Sequence, residues 1–254
     1  MKNKFLYTTT CVLAAISLAA CEPAVMKQEM DYSAANLNGF SQTTNDRLDS
    51  AAKQAARDGN ITEAFHHYQK LYQNDARNPD TALAFAQVLR QMDNPDRAII
   101  VLAPYIDIKE KKDGTYITAE NPDILLEYAA STLAVGRYER AEMLLQELLR
   151  TPEGMELAPQ AHNLIGISLD ARGMHEQAEP YYRESIEIWV GNAVNPMNNL
   201  GLNLAHQGYF DEALTTLRQA LVLEPSNQKV AANIDLVSDL KSSVSGRSAP
   251  TALK

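Results

Sequence analysis

From residue 45 onward, apolar residues recur three or four positions apart in short stretches broken by glycine, asparagine or proline. This is the pattern of amphipathic helices joined by tight turns. The clearest stretch carries Leu200, Gly201, Leu204, Gly208, Phe210, Ala213, Leu217, Ala220 and Pro225. It predicts two antiparallel helices with a turn at Gly208 and a stop at Pro225. Elsewhere the same neighbourhood returns: Gly59 precedes Ala64, Gly136 precedes Ala141 and Gly173 precedes Ala178, as Gly208 precedes Ala213. Ala98 is a fifth anchor, with Asp93 in the glycine position and Pro95 where an aromatic stands in other units; the five alanines are spaced 34, 43, 37 and 35 residues apart. The glycine suits a helix C-cap with positive φ. Acidic residues open the next helix, favourably for its dipole. The small alanine lets the two helices approach closely.

Five units follow, at 45–78, 79–112, 122–155, 159–192 and 194–227. The order leucine-glycine, alanine, large apolar residue and proline is similar to the tetratricopeptide (TPR) repeat, with Met197 at its usual tryptophan and Val190 where unit four would carry proline. That resemblance implies an all-α fold, a right-handed TPR solenoid of about five helix-turn-helix repeats. Val230, Ala231, Ile234 and Val237 share one helical face, so residues 228–241 are expected to form a C-terminal capping helix with a polar outer side. Residues 242–254 read as a disordered tail. Asp113 to Asn121 reads as a solvated loop with an Asp113-Gly114 turn, next to Lys109, Lys111 and Lys112.

The leading segment reads as an address. Lys2 and Lys4 precede an uncharged run from Phe5 to Ala20, too short for a spanning helix of about 20 residues and suited to a secretory signal. Its end, Leu18-Ala19-Ala20-Cys21, resembles the bacterial lipobox. The resemblance implies a lipoprotein signal peptide over 1–20 and lipid attachment at Cys21. Glu22 in place of aspartate then favours the outer membrane, on its periplasmic face. Residues 21–44 read as the lipidated N-terminus and a flexible polar tether, with a root-mean-square span of about 25 Å. Cleavage would also remove Cys11 and leave one lipid-bearing cysteine, so neither a disulfide nor a thiol nucleophile is expected.

With 254 residues, 45% of them hydrophobic, the chain can bury a substantial core, and its formal charge of −9 argues against a nucleic-acid partner. Loss of Lys2 and Lys4 would take that charge to −11. No Walker, dinucleotide-binding or His-Glu-x-x-His motif occurs. Gly166-Ile167-Ser168-Leu169 begins like a nucleophile elbow, but Asp170 stands where its second glycine is required. The five histidines show no ligand spacing: His66 and His67 point to different faces, His162 and His175 take repeat positions that pack, and His206 has no evident carboxylate partner. Trp189 is expected to pack against the fifth repeat. No enzyme activity, cofactor, metal or small-molecule substrate is expected.

The TPR resemblance implies a concave surface lined by the first helix of each repeat. In repeats one and two these positions are charged, with Asp46, Asp49, Lys53, Arg57, Asp80, Gln87 and Arg90. Across repeats three to five they are Leu126, Ala130, Leu133, Asn163, Leu164, Ile167, Asn198, Asn199 and Leu202, apolar with interspersed asparagines. Such a groove suits an amphipathic helix or an extended peptide whose backbone the asparagines satisfy. Lipobox, tether, five repeats and the segment Asn199 to Ala213 together resemble the TadD-like lipoproteins of tight-adherence (Flp) pilus assembly. That resemblance implies a pilotin-like adaptor whose partner is a secretin or another pilus assembly component. Alternatives of related kind are a type IV pilus pilotin and a periplasmic TPR scaffold for peptidoglycan hydrolases.

Overall fold

The computed structural model describes residues 42–111, 114–119 and 121–247. Cys21, the signal, residues 21–41 of the expected tether and Asp113 of the expected turn lie outside the described residues, whereas residues 42–44, expected to end the flexible tether, already belong to a helix.

Five antiparallel helix pairs follow one another: α1 (Gln42–Arg57) with α2 (Ile61–Asn74), α3 (Pro79–Gln91) with α4 (Pro95–Leu102), α5 (Pro122–Ala134) with α6 (Tyr138–Leu148), α8 (Ala158–Ala171) with α9 (His175–Ile188), and α10 (Val194–His206) with α11 (Phe210–Leu223). A one-turn helix α7 (Pro152–Met155) lies between the third and fourth pairs, and α12 (Gln228–Arg247) closes the array. Asparagine or threonine side chains of Asn60, Asn78, Asn121 and Thr151 cap helix N-termini, and proline follows three of them at the first helical position.

All five pairs turn the same way. In each, the backbone N–H three residues past the end of the first helix reaches back five residues: Asn60 to Ala55, Asn94 to Leu89, Arg137 to Thr132, Met174 to Leu169 and Tyr209 to Leu204, at 2.9–3.1 Å. This is the 6→1 bond of a Schellman cap, which needs a left-handed residue just before the donor. Gly59, Gly136, Gly173 and Gly208 supply it with φ between +74° and +87°, and Asp93 adopts the same region at +56°. The second repeat therefore departs in residue type and not in geometry. The five anchor alanines, Ala64, Ala98, Ala141, Ala178 and Ala213, are all completely buried.

Two expectations are corrected. The segment taken as a solvated loop belongs to an antiparallel hairpin, β1 (Ile106–Lys111) and β2 (Gly114–Ala119), with Ile106 opposite Ala119 and Ile108 opposite Ile117. Pro104 helps end the second repeat early, because proline cannot continue α4. The alternation Ile106-x-Ile108 then puts apolar side chains on one face of the hairpin. Ile117 is buried against the core of the later repeats, while Ile106 and Ala119 pack against both halves of the core. The hairpin thus splices a core of repeats one and two to a core of repeats three to five. Secondly, α12 does not stop at residue 241: it runs to Arg247, so 242–247 are helical, and 248–254 lie outside the described residues. Lys241 holds this helix to Asp211 of α11, and Ser238, Ser242 and Ser243 donate to carbonyls one turn back.

Candidate functional site: a groove across the first helices

The first helices of repeats three, four and five lie beside α12, and an open groove of about 460 Å³ crosses them. Leu126 and Ala130 of α5, Asn163, Leu164 and Ile167 of α8, Asn198 and Asn199 of α10, and Val230 of α12 line it. Seven of the nine concave positions read from the sequence across repeats three to five are therefore brought together. The other two are not. Leu133 is buried on the last turn of α5, just ahead of the reversal at Gly136, and Leu202 is half-buried against the core of repeats three to five. Neither lines the cavity.

The asparagines bond to one another across three helices. Asn199 Nδ2 donates to Asn163 Oδ1 at 2.9 Å, Asn233 Nδ2 of α12 donates to Asn198 Oδ1 at 2.6 Å, and Asn198 Nδ2 stands 3.5 Å from Asn199 Oδ1. This ladder ties α8, α10 and α12 into one wall. At the other end Glu127, almost wholly buried on α5, receives both Nε and Nη2 of Arg90 at 2.6 and 3.0 Å. The fork geometry fixes α3 against α5. Glu127's hydrogen bonds raise the Arg90 guanidinium above the ordinary arginine range. Trp189, at the C-cap of α9, also lines the groove, so its packing place is also a groove wall. Gln160 presents a buried Oε1 that accepts no hydrogen bond.

A polar cluster behind this wall sets the rotation of α10. Asp170 accepts from Tyr182 Oη at 2.9 Å and from Asn203 Nδ2 at 2.7 Å, and lies 2.8 Å from His175 Nδ1. Asn203 Nδ2 also donates to the His175 backbone carbonyl, and its Oδ1 accepts from Gln207 Nε2. Burial, then the Asp170 carboxylate, pushes the Tyr182 phenol far above its ordinary range. Burial alone would raise the Glu179 carboxyl, but hydrogen bonds from Arg183 and Gln207 outweigh it and hold it low. His206 stacks on His175 with centroids 4.7 Å apart, so two of the histidines do meet, at the joint of repeats four and five. Ser168, the nucleophile-elbow serine, is fully buried and donates to Glu142 at 2.5 Å. Among the described residues no group of three or more His, Cys, Asp or Glu could hold a metal ion, and no helix is long and apolar enough to cross a membrane.

Glu127, Asn195, Asn227 and Lys229 carry no signal in the sequence that marks them as groove residues, and Val230 is expected there only to pack a cap. Glu127 stands beside Leu126 at a groove position, and in the sequence nothing distinguishes it from the many other acidic residues. Lys229 and Val230 belong to α12, which was read as a cap.

Comparison with known proteins agrees with this geometry. The tetratricopeptide repeat family model matches residues 197–223, the α10–α11 hairpin. A thermophilic TPR protein of Thermus thermophilus superposes with a TM-score of 0.62 at 13% identity, over 76% of this chain and 98% of its own. The Cut9–Hcn1 hetero-tetramer of the APC/C gives 0.57 at 15% identity, over 76% of this chain but only 39% of the other. The fold is a TPR solenoid. No curated protein matches the chain by sequence.

Proposed function

We propose that this chain is a protein-binding adaptor of the bacterial envelope, anchored through lipid on Cys21 at the periplasmic face of the outer membrane. In this reading it serves assembly of a Flp pilus or a related secretion system in the manner of a pilotin, holding a segment of a secretin or another assembly component. The observation that carries the binding role is the groove itself. Apolar side chains at Leu126, Leu164 and Ile167 alternate with amides at Asn163, Asn198 and Asn199, on helices fixed by their own hydrogen-bond ladder. A preorganised surface of that kind loses little conformational freedom on binding. The anchor and the pilus partner rest on the resemblances of the lipobox and of the whole architecture.

Deletion of the gene followed by a gel assay for heat-stable secretin multimers tests the pilotin role, which predicts their loss. Complementation with Leu164→Glu should fail to restore them while the helical circular dichroism stays native. Unchanged multimers in the deletion strain would contradict the pilotin role.

A further inference from the structure

The asparagine ladder and α12 together narrow what the groove accepts. An extended peptide brings an unpaired N–H and C=O at every residue and needs partners for them. Here Oδ1 of Asn163 and Asn198 and Nδ2 of Asn199 and Asn233 are already engaged with one another, which leaves fewer free amide groups than an extended backbone requires. A helix satisfies its backbone internally and asks mainly for an apolar track. The structure offers one longer than the cavity. Ile167 on α8, Leu202 on α10 and Leu236 on α12 share a register, at intervals of 35 and 34 residues. Leu236 lies one turn past Asn233, whose amide meets Asn198, so it stands on the same face of α12. Leu236 and, one turn further, Leu240 are 52% and 45% exposed. The groove-side flank of α12 thus exposes leucines, while Asp235 and Asp239 stand exposed on the side turned away from the core.

Charge adds a direction. The charged residues lining the groove are Arg90, Glu127 and Lys229. Arg90 and Glu127 neutralise each other, whereas Lys229 is exposed and makes no ion pair among the described residues. In a chain of formal charge −9 the groove carries a net positive charge. We infer that the groove continues across α12 and takes an amphipathic α-helix of its partner, apolar stripe on Ile167, Leu202 and Leu236, with an acidic residue against Lys229. This rests on the groove being the partner site.

The chain's single tryptophan, Trp189, lines the groove, so its emission reports occupancy. Two synthetic peptides of identical Leu, Ala, Gln and Glu composition serve as probes. One spaces its leucines three and four apart with glutamates on one flank; the other alternates leucine and polar residues. The first should shift Trp189 emission, gain helical circular dichroism on binding and bind about ten-fold more tightly than the second. Leu236→Ser, at an exposed position, should weaken it about ten-fold. Lys229→Glu should weaken it about five-fold, and a lysine-flanked version of the peptide should recover the loss. Equal or tighter binding of the alternating peptide, or indifference to Lys229→Glu, overturns the helix while leaving the groove reading standing. An unmoved Trp189 with both peptides counts against both.

Discussion

Replacing Gly166 by alanine puts one methyl group where α8 meets α9, and the structure gives its cost. A Cβ there would lie 2.6 Å from Cε1 of Tyr182 and 2.8 Å from Cδ1 and Cζ. Carbon atoms rest about 3.5–4.0 Å apart, so ring or helix must retreat by roughly 1 Å. The ring has little freedom to swing, being 1% exposed and tethered through its hydroxyl to Asp170 at 2.9 Å. Overpacking of this kind costs about 1–3 kcal/mol, against which alanine's helix preference returns up to about 1 kcal/mol. The net expectation for Gly166→Ala is a loss of about 1–2 kcal/mol. Any shift of Tyr182 also disturbs Asp170, and with it the bonds to Asn203 and His175 that orient α10. Urea unfolding should be followed by Trp189 fluorescence and by circular dichroism, since repeat arrays unfold in parts and Trp189 caps this hairpin. Tyr182→Leu removes the obstructing ring, so the double variant should be less destabilised than the two single losses added, with a coupling of about 1 kcal/mol or more. A neutral or stabilised Gly166→Ala, or strict additivity in the cycle, would refute the close approach of these helices.

Other expectations follow from single contacts. Asp93→Gly should stabilise the second repeat by about 0.5–1 kcal/mol in thermal unfolding, by relieving a side chain held at φ +56°. Gly173→Ala should cost about 1 kcal/mol through strain alone, since nothing lies within 4 Å of its Cβ. Glu127→Ala should destabilise the joint of repeats two and three by about 1–3 kcal/mol in denaturant titration, the lower end applying because Arg90 stays partly hydrated. The Tyr182 phenol is raised above the 10.0 of an unfolded tyrosine, so its contribution is full below about pH 10 and lost as the pH climbs further. The difference in ultraviolet alkaline titration between the parent and Tyr182→Phe should therefore show one phenol that ionises only as the fold opens. Ionisation of that phenol near its ordinary value in the native state would contradict its burial against Asp170.

What could be read in advance depended on how local the physics is. The helix pairs were legible because each is specified by a short stretch: a left-handed cap, an acidic first turn and a fully buried alanine such as Ala178. The hairpin at Ile106–Ala119 was not, because its lysines read as solvated and its apolar face is only four residues on two strands. The extent of α12 was missed for a related reason. Lys241 looks like the start of a polar tail until its partner Asp211, thirty residues earlier in the chain, is brought beside it. Groove positions transferred well where the repeat register is strict, as at Asn163 and Asn198. They fail at Leu133, which sits at a helix end beside the turn, and at Leu202, which packs against the core of repeats three to five. That the asparagines pair across α8, α10 and α12 could not be seen from spacing, since residues 35 or 36 apart meet only through stacking of whole repeats.

The claim on which the functional account depends is that partners seat on the concave wall of α5, α8, α10 and α12. Site-specific photocrosslinking in the native cell tests it most directly, with the reactive group placed in turn at Leu164 in the groove and at exposed Ile100 on α4. Leu164 is expected to capture a discrete protein adduct that Lys229→Glu diminishes, and Ile100 to capture none. Adducts from Ile100 with none from Leu164 would place the partner on another face and contradict the account.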